Sequence, residues 1–424
     1  MIVRRLYSLV WFLALPWIRR YLKKRARQAP AYLEHWDERF GRAVTPVSRD
    51  AIWVHAVSVG ETRAALPLIT ALKERWPGVP LLVTQMTPTG RATALQLYGE
   101  EAEVRYLPYD FPAAVQRFFE AYRPKFGVLM ETELWPNLID AARQAGVPLF
   151  LANARLSAKS LKGYRKIDWL IRPAVRALTA IAAQSDEDAQ RLALLGAERI
   201  AVCGNTKYDF TPPQAQLDLG DQFRQLMGHR HVLVCASTRQ GEELLIFQAW
   251  KQQTPDCLLI LVPRHPERFN EVGALAQEYG FSVQYRSDGK PVEPSTQVWI
   301  GDSMGEMFAY YRAADLVFIG GSLLPLGGQN LIEPASIGIP VLMGPSTFNF
   351  SQASRLAFAC KAALQVTDAS DLVAKVNELL GDPDRRCAMH EAALDFSVAH
   401  RGASRRIVEM IATSLQSSGE EPRQ

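Results

Sequence analysis

The 424-residue chain is poor in the features that announce a metal centre, a disulfide scaffold or a membrane-spanning helix. Its five cysteines, Cys203, Cys235, Cys257, Cys360 and Cys387, form no CxxC pair and no regular framework. That argues for a reducing compartment and against structural zinc. HExxH is absent, no cluster of histidines and aspartates reads as a ligand set, and no GxSxG or Cys/His pair stands in the setting a nucleophile needs. A metal is therefore not indicated, and without GxGxxG a dinucleotide fingerprint is unsupported. Short repeats and low-complexity tracts are missing as well. The main apolar stretch, "LYSLVWFLALPWI" (6–18), falls short of the roughly 20 residues a helix needs to cross a bilayer.

What remains is a soluble, globular composition, 48% hydrophobic and 22% charged, long enough for two domains of similar size. The net charge of +4 hides an asymmetry. Residues 1–27 hold eight cations (Arg4, Arg5, Arg19, Arg20, Lys23, Lys24, Arg25 and Arg27) and no acid, which leaves the rest of the chain at −4. A mildly acidic body without interleaved aromatic and basic patches disfavours nucleic acid, whereas a basic aromatic head suits an anionic membrane surface. Three readings of residues 6–18 compete. A cleaved signal peptide needs a small-residue cleavage site and a less basic flank, and a helix buried in the core does not explain the cations. An interfacial anchor on the cytoplasmic side, with Trp11 and Trp17 at headgroup level, is expected, and Pro16 is expected to interrupt any spanning helix.

Past residue 50, short apolar runs alternate with longer mixed segments, the pattern of a parallel sheet covered by helices. Strands are expected at 51–57, 80–84, 104–108, 126–130, 148–152 and 179–183. After the polar, proline-bearing segment 209–223 they resume at 231–237, 257–263, 281–285, 297–302, 316–321 and 339–344. The chain thus divides into a basic hydrophobic anchor (1–30), a first Rossmann-like domain (31–210), a linker (211–224), a second Rossmann-like domain (225–415) and a flexible tail (416–424). Two doubly wound units would enclose a cleft lined by loops at the carboxyl ends of both sheets.

Those loops are unusual. "AVSVGE" (56–61) leaves Ser58, Val59 and Gly60 bare before the carboxylate of Glu61, and Glu131 and Glu133 follow a second strand in "METELWP" (130–136). Each acid alone fits a helix cap as well as a catalytic role. Two from two strands of one sheet favour catalysis, because a carboxylate buried near other acids can take a proton near neutrality. In the second half, "GGSLLPLGGQNLIEP" (320–334) reads either as a plain sheet-to-helix turn or as a loop offering amides to a phosphate. Glu333 either caps the helical turn it opens or accepts ribose hydroxyls. Arg264 and His265 in "VPRHPER" (262–268) sit past a buried strand, where a guanidinium and an imidazole could hold a phosphate or carboxylate. A nucleotide-phosphate site in one half and carboxylates in the other point to group transfer by displacement.

In their order, "HAVSVGE", "TPTG", "METELWPN", "NARLS" (153–157), "SDEDAQRL" (185–192), "GNTKYD" (204–209), "PRHPER", "MGEM" and "NLIEPASIGIPV" resemble the Kdo (3-deoxy-D-manno-octulosonic acid) transferases of lipopolysaccharide synthesis. The resemblance covers nearly the whole chain. It implies a GT-B glycosyltransferase fold: α/β, with two Rossmann-like doubly wound domains facing a central cleft and an N-terminal membrane-associated helix. It implies CMP-Kdo as donor, the lipid A precursor as acceptor, the cytoplasmic side of the inner membrane as location, and one-step inversion without metal or cofactor. By the same resemblance Glu61 is the general base and Glu131 and Lys207 stabilise the transition state. Arg264, His265, Met304, Gly305, Glu306, Asn330, Leu331, Ile332 and Glu333 match the CMP-binding segments. Ala236, Arg239 and Gln329 depart from the Gly, His and His of the family pattern. Another nucleotide-sugar transferase or a non-hydrolysing epimerase on the same fold, and a catalytically silent membrane scaffold, are the alternative readings.

Overall fold

A computed structural model describes residues 2–27, 29–42 and 46–418; most of the expected tail, from 419 on, lies outside the described residues. The chain forms two compact units, Met1–Phe210 with Arg401–Gln424, and Thr211–His400.

The first unit is built on seven strands: β1 (Ile52–His55), β2 (Leu81–Gln85), β3 (Glu103–Tyr106), β4 (Phe126–Met130), β5 (Leu149–Ala154), β6 (Ala180–Ala183) and β7 (Ile200–Val202). They form one sheet in the order β3-β2-β1-β4-β5-β6-β7, and every pair is parallel. Ile52 stands opposite both Leu81 and Phe126, which sets the register at the centre. Central strands are buried on both faces, as a parallel sheet covered by helices requires. Alternate residues enter opposite cores, Trp53 packing with Phe118 and Leu138, and Val54 with Leu68 and Phe126. Gly127 is obligatory within β4, because a Cβ there would lie 2.4 Å from the Trp53 ring. The order reverses between β1 and β4, so their carboxyl ends form the topological switch point.

The segment from Arg401 belongs to this first unit, so the second domain ends at His400 and does not extend to 415 as expected. Helix Ala403–Ser418 buries Ile407, Val408, Ile411 and Leu415 in the Val54 core. Its first amides, those of Gly402 and Ser404, donate to the Asp209 carboxylate at 2.6 and 2.5 Å.

Residues 211–224, expected as a linker, instead contribute most of a helix, Gln214–Met227. It buries Gly220, Phe223 and Met227, with Phe223 against Trp299 and Tyr310 at 5.3 and 5.2 Å between ring centroids. The helix is thus the first element of the second unit. That unit carries β8 (His231–Thr238), β9 (Cys257–Pro263), β10 (Val283–Tyr285), β11 (Val298–Ile300), β12 (Leu316–Ile319), β13 (Val341–Met343) and β14 (Ala363–Gln365). The order is β10-β11-β9-β8-β12-β13-β14, all parallel, with the reversal between β8 and β12.

The N-terminal basic segment is one helix, Ile2–Ala26, that runs through Pro16 without a break. Pro16 lies on the exposed side of that helix, so its ring meets no other element among the described residues. Tyr7, Ser8, Trp11, Leu15, Ile18 and Leu22 follow helical spacing and turn inward, several of them onto Phe40, Phe111 and Ala114. The other face is apolar and exposed: Leu6, Leu9, Val10, Phe12, Leu13 (68%), Trp17 (77%) and Tyr21. None of the described helices is long and apolar enough to cross a membrane.

Candidate active site

Glu61 and Glu131 follow β1 and β4, the two strands that flank the switch point of the first sheet. Helix Val59–Arg75 starts at Ser58, whose Oγ accepts from Glu61 N at 3.5 Å and donates to Glu61 Oε1 at 3.2 Å. The other carboxylate oxygen accepts from Val57 N at 2.7 Å. Glu61 thus closes the start of its own helix while its side chain stays partly exposed. Burial pushes the Glu61 carboxyl up to about 7, the Val57 amide opposes it, and Glu131 and Glu133 push it further up. In front of this group Gly60 is exposed, and a Cβ there would meet nothing closer than Ser58 Oγ at 3.9 Å. The protein's own packing does not require that glycine.

Glu131 holds a left-handed backbone, φ 58°, and pairs with Lys207 Nζ at 3.2 Å. A side chain in that conformation is strained, and such strain concentrates at functional sites. Lys207 lies on the turn Thr206–Asp209, which is fixed from below. Asn153, itself left-handed at φ 53° and fully buried, accepts from Thr206 N at 3.1 Å, and Asn205 accepts from Lys207 N at 3.0 Å. Gln184 donates to Asn153 O at 2.9 Å and accepts from Asn205 at 3.3 Å. The structure therefore brings Glu61, Glu131, Glu133 and Lys207 into one electrostatic cluster. Burial raises Glu133 above its ordinary value, while Trp135 Nε1 donates to it at 2.5 Å. In the sequence Asn153 stands within "NARLS", and a buried polar residue leaves no periodic signal that would single it out.

The residues expected to bind a nucleotide lie at carboxyl ends of the second sheet. Arg264 and His265 follow β9 and are exposed, with Arg264 N donating to Thr238 O at 3.0 Å. Arg264 and Glu333 both act on the buried Tyr311 hydroxyl, whose pKa burial raises, Glu333 raises and Arg264 lowers. After β11, Met304 is 63% exposed, Gly305 is left-handed at φ 81°, and Glu306 pairs with Arg286 at 3.2 Å. Gly301–Gly305 spells G-x-S-x-G, yet the Ser303 hydroxyl is engaged by Glu306 at 2.5 Å and Tyr310 at 2.6 Å, which is a local lock and not a nucleophile with its base.

The glycine loop after β12 differs from the phosphate cradle that was one of its two readings. Glu242, fully buried, takes its amides: Gly321 N donates to Oε2 at 2.6 Å and Leu323 N to Oε1 at 3.0 Å. Gly328 N and Gln329 N donate to Gly321 O and Gly320 O at 2.7 and 3.1 Å, and Gly327 N to Ser346 Oγ at 2.9 Å. The loop is wired internally, and the helix that follows, Ile332–Ala335, is one turn. Asn330 Oδ1 accepts from Ile332 N at 3.0 Å, and the side chains of Leu331 and Ile332 are core. Of the four expected residues 330–333, Asn330 and Glu333 retain a partly open side chain. Arg239 and Gln329 flank Gly321 together, at 3.6 and 3.3 Å from where its Cβ would stand. Next to Glu242, Glu243 forms a buried bidentate pair with Arg268, at 2.7 and 3.1 Å.

Comparison with known proteins gives this geometry a family. Residues 34–210 match the family model described as 3-deoxy-D-manno-octulosonic-acid transferase (kdotransferase). The 3-deoxy-D-manno-octulosonic acid transferase of Bordetella pertussis is 44% identical over 96% of this chain and 97% of its own, and that of Haemophilus influenzae 34% identical over 97% and 99%. Among solved structures, the UDP-GlcNAc 2-epimerase from Neisseria meningitidis has a TM-score of 0.59 at 14% identity, covering 86% of this chain and all of its own. A glycosyltransferase from Rickettsia africae gives 0.58 at 14%, covering 87% and 99%. These two share the fold, that of the GT-B glycosyltransferases, at an identity too low to carry activity. The chain belongs to the 3-deoxy-D-manno-octulosonic acid transferase family of glycosyltransferases.

Proposed function

We propose that the chain transfers Kdo from CMP-Kdo to a hydroxyl of the lipid A precursor in lipopolysaccharide core synthesis, by a single inverting displacement that needs no metal and no cofactor. The observation that carries the reading is Glu61: a carboxylate at the switch point of the first sheet, partly buried, with its pKa lifted to about 7 by burial and by neighbouring acids. Glu61 takes the proton of the acceptor hydroxyl as that oxygen attacks the anomeric carbon, and the bond from that carbon to the phosphate oxygen breaks, its electron pair leaving with CMP. The open space before Gly60 admits the acceptor sugar. Lys207, paired with Glu131, is chemically suited to a donor that is a carboxylate and a leaving group that is an anion. In the second unit, Arg264, His265, the 304–306 turn, Asn330 and Glu333 are the side chains we assign to CMP.

The same reading extends to location. The exposed apolar face of the Ile2–Ala26 helix, with cations along and beyond it, suits an anionic bilayer surface, here the cytoplasmic side of the inner membrane. Sedimentation with anionic vesicles checks this. Wild type pellets with them, and a Leu13→Ser, Trp17→Ser variant stays in the supernatant; co-sedimentation of that variant contradicts the assignment.

The donor is tested by Kdo transfer in EDTA with competing nucleotides. Inhibition by CMP and indifference to UDP are expected. Inhibition by UDP alone, or activity abolished by EDTA, would replace this reading with another nucleotide-sugar or metal-assisted reaction.

A further inference from the structure

The N-terminal helix reaches the helix that follows the acid-bearing loop through polar contacts that neither membrane binding nor proton transfer explains. Asp110, buried just beyond β3, aims its carboxylate at the start of helix Pro136–Gln144. Asn137 N donates to its Oδ2 at 3.1 Å, Leu138 N to its Oδ1 at 2.7 Å, and Asn137 Nδ2 to its carbonyl oxygen at 2.7 Å. That helix has no cap of its own, since Trp135 occupies the cap position without a side-chain bond. A carboxylate brought from another segment therefore seats its first turn. From the N-terminal helix, Tyr7 Oη donates to Asp110 Oδ2 at 2.9 Å and Ser8 Oγ to Asn137 Oδ1 at 3.2 Å, while Arg4 pairs with Asp140 on the same helix.

Immediately before that first turn come Glu131, Glu133 and Trp135, the last two joined by a hydrogen bond of 2.5 Å. The loop between β4 and the helix is short, and its start is held from β5 and just beyond it, Glu131 N donating to Ala152 O at 2.9 Å and Thr132 Oγ1 to Arg155 O at 2.5 Å, so the seat of the helix sets the far end, where Glu133 and Trp135 stand. We infer that Tyr7 is a positioning residue for the reaction: by holding Asp110 against the start of the Pro136–Gln144 helix, its hydroxyl sets where Trp135 and its partner Glu133 stand relative to Glu61. The inference rests on Glu61 being the base. It joins the outward apolar face and the reaction centre in one mechanical unit, because the helix that exposes Leu13 and Trp17 also holds Asp110.

The charged and titratable groups concerned are few. Asp110 faces Tyr7 and Arg4 from the N-terminal helix, and Asp140 and Arg143 share the helix it caps. Burial lifts its carboxyl to about 6 against the pull of the Asn137 amide, Tyr7, the Leu138 amide and Arg4. Glu61 faces Ser58 on its own helix and Glu131 and Glu133 from the loop.

Tyr7→Phe removes the hydroxyl and keeps the ring, which packs edge-on against Trp11 at 6.4 Å. The assay is Kdo transfer from CMP-Kdo to the tetraacyl lipid A precursor in detergent, as a function of pH. With Glu133 loosened near Glu61, the acid limb of kcat/KM moves to lower pH by about half a unit and kcat falls about threefold to tenfold, while the thermal midpoint stays within a few degrees. Asp110→Asn shifts the limb in the same direction, and the double variant adds nothing beyond the worse single. An unshifted limb in Tyr7→Phe, whether kcat is retained or is lost only together with folding, overturns the inference. A silent wild type, or a fully active Glu61→Gln in the same assay, sinks the base assignment instead, so the two failures are distinguishable.

Discussion

Replacing Glu131 by glycine separates chemistry from stability. Glu131 sits at φ 58°, and a left-handed backbone at a residue with a Cβ costs roughly 1–2 kcal/mol. Glycine removes that strain but loses about 0.4–1 kcal/mol through the greater freedom of the unfolded chain. The partner lost is Lys207 at 3.2 Å, with both side chains about a quarter exposed, a pair of the kind worth about 0–1 kcal/mol. The terms cancel to within about 1 kcal/mol, so the urea midpoint of Glu131→Gly hardly moves. Kdo transfer, by contrast, falls about 10²- to 10³-fold if the Glu131–Lys207 pair stabilises developing charge. Glu131→Gln serves as the companion, because it keeps the strain and neutralises the charge. It too loses transfer, and it is no more stable than the glycine variant. A loss of more than about 3 kcal/mol in Glu131→Gly, or transfer within threefold of wild type, would show that the strained carboxylate is structural and refute the reasoning.

Three further outcomes follow from the same geometry. Gly60→Ala meets no protein atom closer than 3.9 Å, so it folds as well as wild type and gains up to about 1 kcal/mol of helix propensity, yet its KM for the acceptor rises; an unchanged KM would mean that nothing approaches there. Glu61 is lifted to about 7 in the folded state, so between about pH 4.5 and 7 the folded chain holds a proton that the unfolded chain has released, and stability falls as pH rises through that window. Glu61→Gln removes this slope in urea titrations; an unaltered slope would deny the raised pKa. Asp209→Ala leaves the first amides of the Ala403–Ser418 helix uncapped and lowers stability by about 1–2 kcal/mol, measured by chemical denaturation, and an unaffected midpoint would contradict the capping role.

Much of this is legible in the sequence, and what is not has physical causes. Central strands such as Phe126–Met130 and Cys257–Pro263 are continuous apolar runs, and a strand buried on both faces announces itself. The edge strands Ile200–Val202 and Ala363–Gln365 were not foreseen, because each is three residues long and only partly buried. The proline-rich start of 211–224 disguised a helix whose inward residues, Gly220, Phe223 and Met227, are spaced three and four apart. The Ala403–Ser418 helix shows its apolar stripe in sequence, but which sheet it returns to is a tertiary fact. At the site, Glu61 and Glu131 stood out as acids at strand ends. The glycine loop misled, because Glu242, eighty residues upstream, takes the amides that a phosphate would otherwise meet. Asp110 and Asn153 left no local trace, since their partners are distant backbone groups.

The most direct test of the central claim is Kdo transfer from CMP-Kdo to the tetraacyl lipid A precursor by wild type and Glu61→Gln at pH 8, with folding and CMP binding measured on both. The account predicts transfer by wild type and its near-abolition in the variant, with unfolding midpoint and CMP affinity retained. A variant that transfers Kdo at the wild-type rate would contradict it, and the proton would have to go to a different group.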